Sequence, residues 1–302
     1  MKATRFIIPV ILLAAACQQM ETDAPDSKDI TEIETETTEA FYTLSIQASK
    51  GDAQTKALDL VSGTPDYLDA YWKNTEKVKV YKDGSLLGTL DVVPDAGEKP
   101  TMATLTGPIN TDGLAANDEL TLIIPRENWD YTSQVGTLAS IETTYDYATA
   151  SVTIATVDEV NHTITTTGYA SFTNEQSIYR FGFKVGGEYI DPKNFIVSAS
   201  RGKLVQCINW NGSAWASSFG SLSITPASAA GDHFYYSAIR NESTEEDSYS
   251  FIVTGSDDAL YLGNKTIPAS VLDAPGKFIS AKSITISKPN FAPASGTTEN
   301  AL

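Results

Sequence analysis

Ile178-Tyr179-Arg180-Phe181-Gly182-Phe183-Lys184-Val185 sets Tyr179, Phe181, Phe183 and Val185 at every second position. A side-chain period of two is the mark of a β-strand with one face against a core. The same parity recurs outward along the chain. Tyr42, Leu44, Ile46 and Ala48 alternate with polar residues, and Tyr249, Phe251 and Val253 repeat the aromatic version. Val78 and Val80 mark another strand, followed by Lys82-Asp83-Gly84-Ser85, where Asp-Gly supplies the positive φ of a hairpin turn. Runs at 86–93, 101–106, 119–124, 150–155, 195–199, 203–210, 233–239 and 283–287 read the same way. Gly, Asn, Asp, Ser and Pro clusters separate them at short spacing, and no stretch keeps a 3.6 period over four turns. The pattern predicts an all-β protein of two tandem antiparallel β-sandwiches, at 40–147 and 148–288, with the boundary near 145–150. From Pro289 the chain reads as a flexible tail, 289–302, because proline cannot donate to a strand ladder.

Upstream of the first strand the character changes. Lys2 and Arg5 precede the apolar run Phe6–Leu13, and Ala14-Ala15-Ala16 lead into Cys17. A charged start, an apolar stretch too short to span a bilayer, and small residues at a cleavage point make a secretory signal. These residues resemble a bacterial lipobox, with Ala14 in the slot where Leu is preferred. The resemblance implies that 1–16 is removed and that Cys17 carries the lipid; a plain signal cleaved near Ala16 is the alternative reading. Residues 17–39 are rich in Asp, Glu, Thr and Ser and cannot bury enough surface to fold, so they read as an acidic tether. Glu21, Asp23 and Asp26 also resemble the signal that directs Bacteroidales lipoproteins to the outer face of the outer membrane.

Loss of Lys2 and Arg5 with the signal leaves 19 basic against 38 acidic residues. Nucleic-acid binding is excluded, because phosphate neutralisation needs a basic surface. Adsorption to an anionic bilayer is disfavoured for the same reason, which leaves the lipid as the anchor. With Cys17 lipidated, Cys207 has no internal disulfide partner, and its apolar run Leu204-Val205-Gln206-Cys207-Ile208 predicts a buried structural thiol.

Little in the chain carries catalytic chemistry. The two histidines, His162 and His233, have no second His or Cys at metal-ligand spacing, so no metal site or cofactor is expected. No Gly-x-Ser-x-Gly elbow marks a nucleophile. Glu245-Glu246-Asp247 reads as a solvated loop, and Asp257-Asp258 lacks the spaced oxygen donors of a calcium loop. No enzymatic role is predicted. Four tryptophans, Trp72, Trp129, Trp210 and Trp215, are candidate sugar-stacking platforms. Trp210-Asn211-Gly212-Ser213-Ala214-Trp215 places two indoles around one tight turn; packing of each against its own sheet is the competing reading.

The run 172–181 (Phe-Thr-Asn-Glu-Gln-Ser-Ile-Tyr-Arg-Phe) resembles the fimbrillin-like lipoproteins of the Bacteroidales. So do Tyr261–Ile267, the glycine-lysine turn at Gly276-Lys277 before a final strand, and Thr55-Lys56-Ala57 after the first strand. The resemblance implies transthyretin-like sandwiches and a structural subunit of surface fimbriae, as stalk, tip or anchor. It implies outer-membrane attachment through the lipid, polymerisation with other fimbrial subunits of the same or another kind, and contact with host or bacterial surface ligands. It further implies proteolytic loss of the first strand, with the cut after Lys56 or Lys50, and replacement of that strand by one from the next subunit. The alternative is a surface glycan-binding lipoprotein of the starch-utilisation type, using Trp210 and Trp215.

Overall fold

The protein is described by a computed structural model covering residues 40–50, 59–60, 68–124, 128–210, 215–272, 275–281 and 283–289. The signal, Cys17, the acidic tether, Lys56 and the tail beyond Pro289 lie outside the described residues. The first strands are β1 (Phe41–Ser49), β2 (Asp59–Leu60), β3 (Leu68–Asp69), β4 (Lys77–Lys82), β5 (Ser85–Pro94) and β6 (Met102–Asn110). Next come β7 (Glu119–Ile124), β8 (Asn128–Asp130), β9 (Ala148–Asp158), β10 (Thr163–Thr167), β11 (Ala170–Ser171) and β12 (Thr173–Asn174). Between β8 and β9 a three-residue α1 (Leu138–Ser140) runs into a π-helical turn, Ile141–Tyr145.

Seven of these strands close on themselves. The order is β10-β1-β6-β5-β4-β7-β9, and β9 pairs back onto β10. The sandwich expected over 40–147 is therefore a closed barrel, and β9, at 148–158, is one of its staves through full pairing with β7. The correction has a topological cause. Strand β10 is antiparallel to β9 and parallel to β1, so it joins what would otherwise be two open edges, and closure removes unpaired backbone groups. The interior is filled from every stave, including Leu44, Val80, Leu90, Leu105, Leu122 and Ile154. Where β5 meets β6 the backbones come so close that a Cβ on Gly88 would lie 2.4 Å from the Pro108 carbonyl oxygen. At the hairpin between β4 and β5, Asp83 and Gly84 adopt φ of 50° and 83°, as the sequence predicted.

The remaining strands are β13 (Ser177–Phe181), β14 (Phe183–Val185), β15 (Glu188–Ile190), β16 (Pro192–Ala199), β17 (Val205–Trp210) and β18 (Trp215–Phe219). They continue with β19 (Leu222–Ile224), β20 (Tyr235–Ile239), β21 (Asp247–Gly255), β22 (Leu260–Ile267), β23 (Phe278–Ser280) and β24 (Ile284–Ser287). A short α2 (Ala269–Leu272) follows β22. The single strand read at 178–185 is two strands in two sheets. β13 lies between β20 and β23, whereas β14 belongs to the seven-stranded sheet β15-β14-β24-β22-β21-β16-β19. The break falls at Gly182, whose carbonyl accepts from Ile284 N at 2.7 Å. Parity survives it, because Tyr179, Phe181 and Phe183 all stay buried. The two sheets meet through aromatic edges: Phe181 contacts Phe251 at 5.2 Å and Phe195 at 6.1 Å, and Tyr179 contacts Tyr249 at 5.7 Å. A third small sheet orders β18-β17-β8. Tyr81 and Ile123, on barrel strands β4 and β7, join this second core rather than the barrel interior.

Glu245-Glu246-Asp247 is not wholly a solvated loop. Asp247 opens β21 and is buried. Its carboxylate accepts from Ser200 Oγ (2.8 Å), Arg201 N (3.1 Å), Asn241 Nδ2 (3.0 Å) and its neighbour Ser248 N (2.8 Å). Burial pushes its pKa up, but these hydrogen bonds together outweigh burial and hold it below the ordinary carboxylate value. A lowered folded pKa gives stability that is present above the unfolded value of about 3.9 and is lost as pH falls through the folded one. Acid denaturation followed by circular dichroism is expected to show this loss in the native protein and a flatter acid limb in Asp247→Ala. Parallel acid limbs would contradict the assignment.

Candidate functional site: the first strand and its lock

Strand β1 is the seam of the barrel. Its alternation FYTLSIQAS puts Tyr42, Leu44, Ile46 and Ala48 inside, while Phe41, Thr43, Ser45 and Gln47 face out. Along one side all nine residues pair antiparallel with β6, from Phe41↔Asn110 to Ser49↔Met102. Along the other, β1 runs parallel to β10 and β11, with Leu44↔Ile164 and Ala48↔Ala170 in register. Thr43 N donates to the His162 carbonyl at 2.9 Å, and Phe172 N donates to the Ser49 carbonyl at 2.9 Å. The Tyr42 ring meets His162 edge-on at 4.9 Å, and His162 itself holds a left-handed φ of 52° in the β9–β10 turn.

The C-terminal end of β1 is held by a buried charge. Lys50 is only 4% exposed. Its ammonium contacts both Glu76 carboxylate oxygens at 3.0 and 3.1 Å, donates to the Tyr71 carbonyl, and sits 4.5 Å above the Trp72 ring. Trp72 is buried in turn and packs edge-on against Phe172 at 5.4 Å. An unpaired ammonium at this depth would be costly, and Glu76 and the indole face offset that cost. Sequence alone read Lys50 as a candidate cleavage site in a polar turn. The structure places its side chain in a buried position against Glu76 and Trp72.

Other predicted residues fall elsewhere. Trp72 and Trp129 are buried, Trp129 stacked on Tyr147 at 5.2 Å, which removes both as stacking platforms. Trp210 and Trp215 are register partners across the β17–β18 hairpin; their side chains are outside the described set. Cys207, on β17, is half-buried rather than fully buried, and burial raises its thiol pKa, so it is a poor nucleophile. His233 follows the loop before β20 at φ 60°, with Nδ1 2.9 Å from Asp191 Oδ1 and its ring stacked on Tyr189. Among the described residues no three His, Cys, Asp or Glu side chains group as metal ligands. The sequence reading missed Glu76, which is the residue that makes the Lys50 lock. No local signal announces it, since the pair is 26 positions apart.

No protein-family profile matches the chain, and no curated protein does. Solved structures similar to it include a protein of Bacteroides ovatus assigned to cell adhesion, 12% identical over 83% of this chain and 96% of that one, with a TM-score of 0.39. A fimbrial assembly protein of Parabacteroides distasonis is 8% identical over 80% of this chain and 90% of its own, with a TM-score of 0.37. A fimbrial protein of Bacteroides ovatus is 12% identical over 82% of this chain and 50% of its own, with a TM-score of 0.34.

Proposed function

We propose that this chain is a structural subunit of cell-surface fimbriae, exported with a lipid on Cys17, held at the outer membrane, and assembled with other subunits by β-strand exchange. The observation that carries the reading is the seam position of β1. One strand, paired on both sides, supplies four inward side chains to a closed barrel. Its loss would leave β6 and β10 as facing open edges over an exposed apolar groove. Such a groove takes a strand of matching parity from another subunit, because the incoming backbone satisfies the edge groups and its alternate side chains refill the core. The sequence resemblance to fimbrillin-like lipoproteins supports the same role.

The buried Lys50 sharpens the processing step. Mild trypsin treatment of the intact protein, followed by mass spectrometry and size-exclusion chromatography, is expected to cut after Lys56 and to leave the Lys50 bond whole. Oligomers should then accumulate as β1 departs. A chain that is cut after Lys56 and stays monomeric would overturn strand exchange, and primary cleavage after Lys50 would overturn the lock.

A further inference from the structure

A polar cleft of about 330 Å³ lies between the outer face of the barrel and the β8–β17 pair; Ser171 on its wall is in register with Ser49 at the end of β1. Its barrel side is a row of hydroxyls. Thr121 on β7 is in register with Ser151 on β9, and Thr149 on β9 with Thr173 on β12. The hydroxyls of Thr121, Ser151, Ser171 and Thr173 make no hydrogen bond to any described residue. Thr149 alone is engaged, donating to Glu175 Oε1 at 2.5 Å. Behind the opposite side lie Trp129 and Ile208, each only 1% exposed and turned to the second core. Arg240 and Glu175 close the end as an ion pair. Arg240 Nε also meets Glu242 at 3.4 Å.

We propose that this cleft binds a neutral saccharide unit. The volume is at the low end for small-molecule sites, enough for a compact ligand. Free hydroxyls that both donate and accept, with a charged donor beside a charged acceptor, match the closely spaced hydroxyls of a sugar, each of which also donates and accepts. The charge balance selects against acids. Arg240 already faces two carboxylates, and the chain carries a formal net charge of −17. Neither Trp210 nor Trp215 lines the site.

Saturation-transfer NMR on the full-length protein, with glucose, galactose, mannose, N-acetylglucosamine and N-acetylneuraminic acid as probes, tests this. At least one neutral sugar is expected to bind more tightly than about 10 mM. Arg240→Met should weaken it at least tenfold, and Ser151→Trp, at an exposed position with no internal hydrogen bond, should abolish it while leaving the thermal melt unchanged. The proposal is overturned if no neutral sugar binds, if only the acidic sugar does, or if Ser151→Trp leaves binding intact.

Discussion

Deleting the chain through Ser49 is expected to abolish the cooperative unfolding transition of the barrel. Tyr42, Leu44 and Ile46 are each at least nine-tenths buried in the barrel core, and their strand pairs with β6, β10 and β11, all beyond residue 100. At roughly 1.5–3 kcal/mol per fully buried side chain, the three together contribute about 5–9 kcal/mol. That is comparable to the whole stability of an ordinary domain, about 5–15 kcal/mol. Loss of β1 also orphans the backbone groups of β6 and β10 that it pairs. Urea unfolding monitored by tryptophan fluorescence should respond strongly, because Trp72 packs beside the Lys50 lock. A synthetic peptide of residues 40–50 added in trans should restore the transition, and an otherwise identical peptide with Leu44→Asp should not. A truncated protein that unfolds at the same urea concentration as the intact one would show that β1 is decoration rather than a stave.

The second large effect is expected at Gln134. This residue is 1% exposed and belongs to no strand, yet it bonds to two sheets at once. Its backbone extends the seven-stranded sheet: Gln134 N donates to Ser223 O at 3.0 Å, and Thr225 N donates to Gln134 O at 2.8 Å. Its side chain caps the edge of β20. Nε2 donates to the carbonyls of Tyr131 and Ala238, both at 2.8 Å, and Oε1 accepts from Ala238 N at 2.8 Å and Ser237 Oγ at 3.2 Å. Gln134→Leu keeps the bulk and strands these groups without partners in a dry core. With about 1–3 kcal/mol for each buried group left unsatisfied, the expected cost is about 3–5 kcal/mol. Gln134→Glu should also be strongly destabilising, since an oxygen would then face two carbonyls. A loss under about 1 kcal/mol for Gln134→Leu in chemical denaturation would mean that water replaces the amide without penalty.

Both effects bear on how the protein could work at a surface. A subunit that exchanges one strand must keep the rest of its framework intact while the seam is open. The second core, with its aromatic contacts and the Gln134 tie, shares no strand with β1. Tyr81 and Ile123 link it to the far side of the barrel, on β4 and β7, rather than to the seam.

Much of this was legible in the chain itself. The period of two placed Tyr42, Leu44, Ile46 and Ala48 on one face, and it did the same for Tyr249, Phe251 and Val253. Extending the second run back by one step would have put Asp247 on the buried face as well. The parity was visible, but three consecutive acids outweighed it. Asp83-Gly84 declared its hairpin because the turn requires positive φ at both positions. These are local consequences of side-chain direction and backbone sterics, so sequence by itself determined them. Which strands become neighbours was decided only by the tertiary structure. Barrel closure depends on β10 pairing with both β1 and β9, two strands that begin more than 100 positions apart in sequence. The change of sheet at Gly182 depends on Ile284 arriving to take its carbonyl, and the lock at Lys50 depends on Glu76. Each is a pairing across the fold, and a pairing at that distance leaves no periodic trace in the residues beside it.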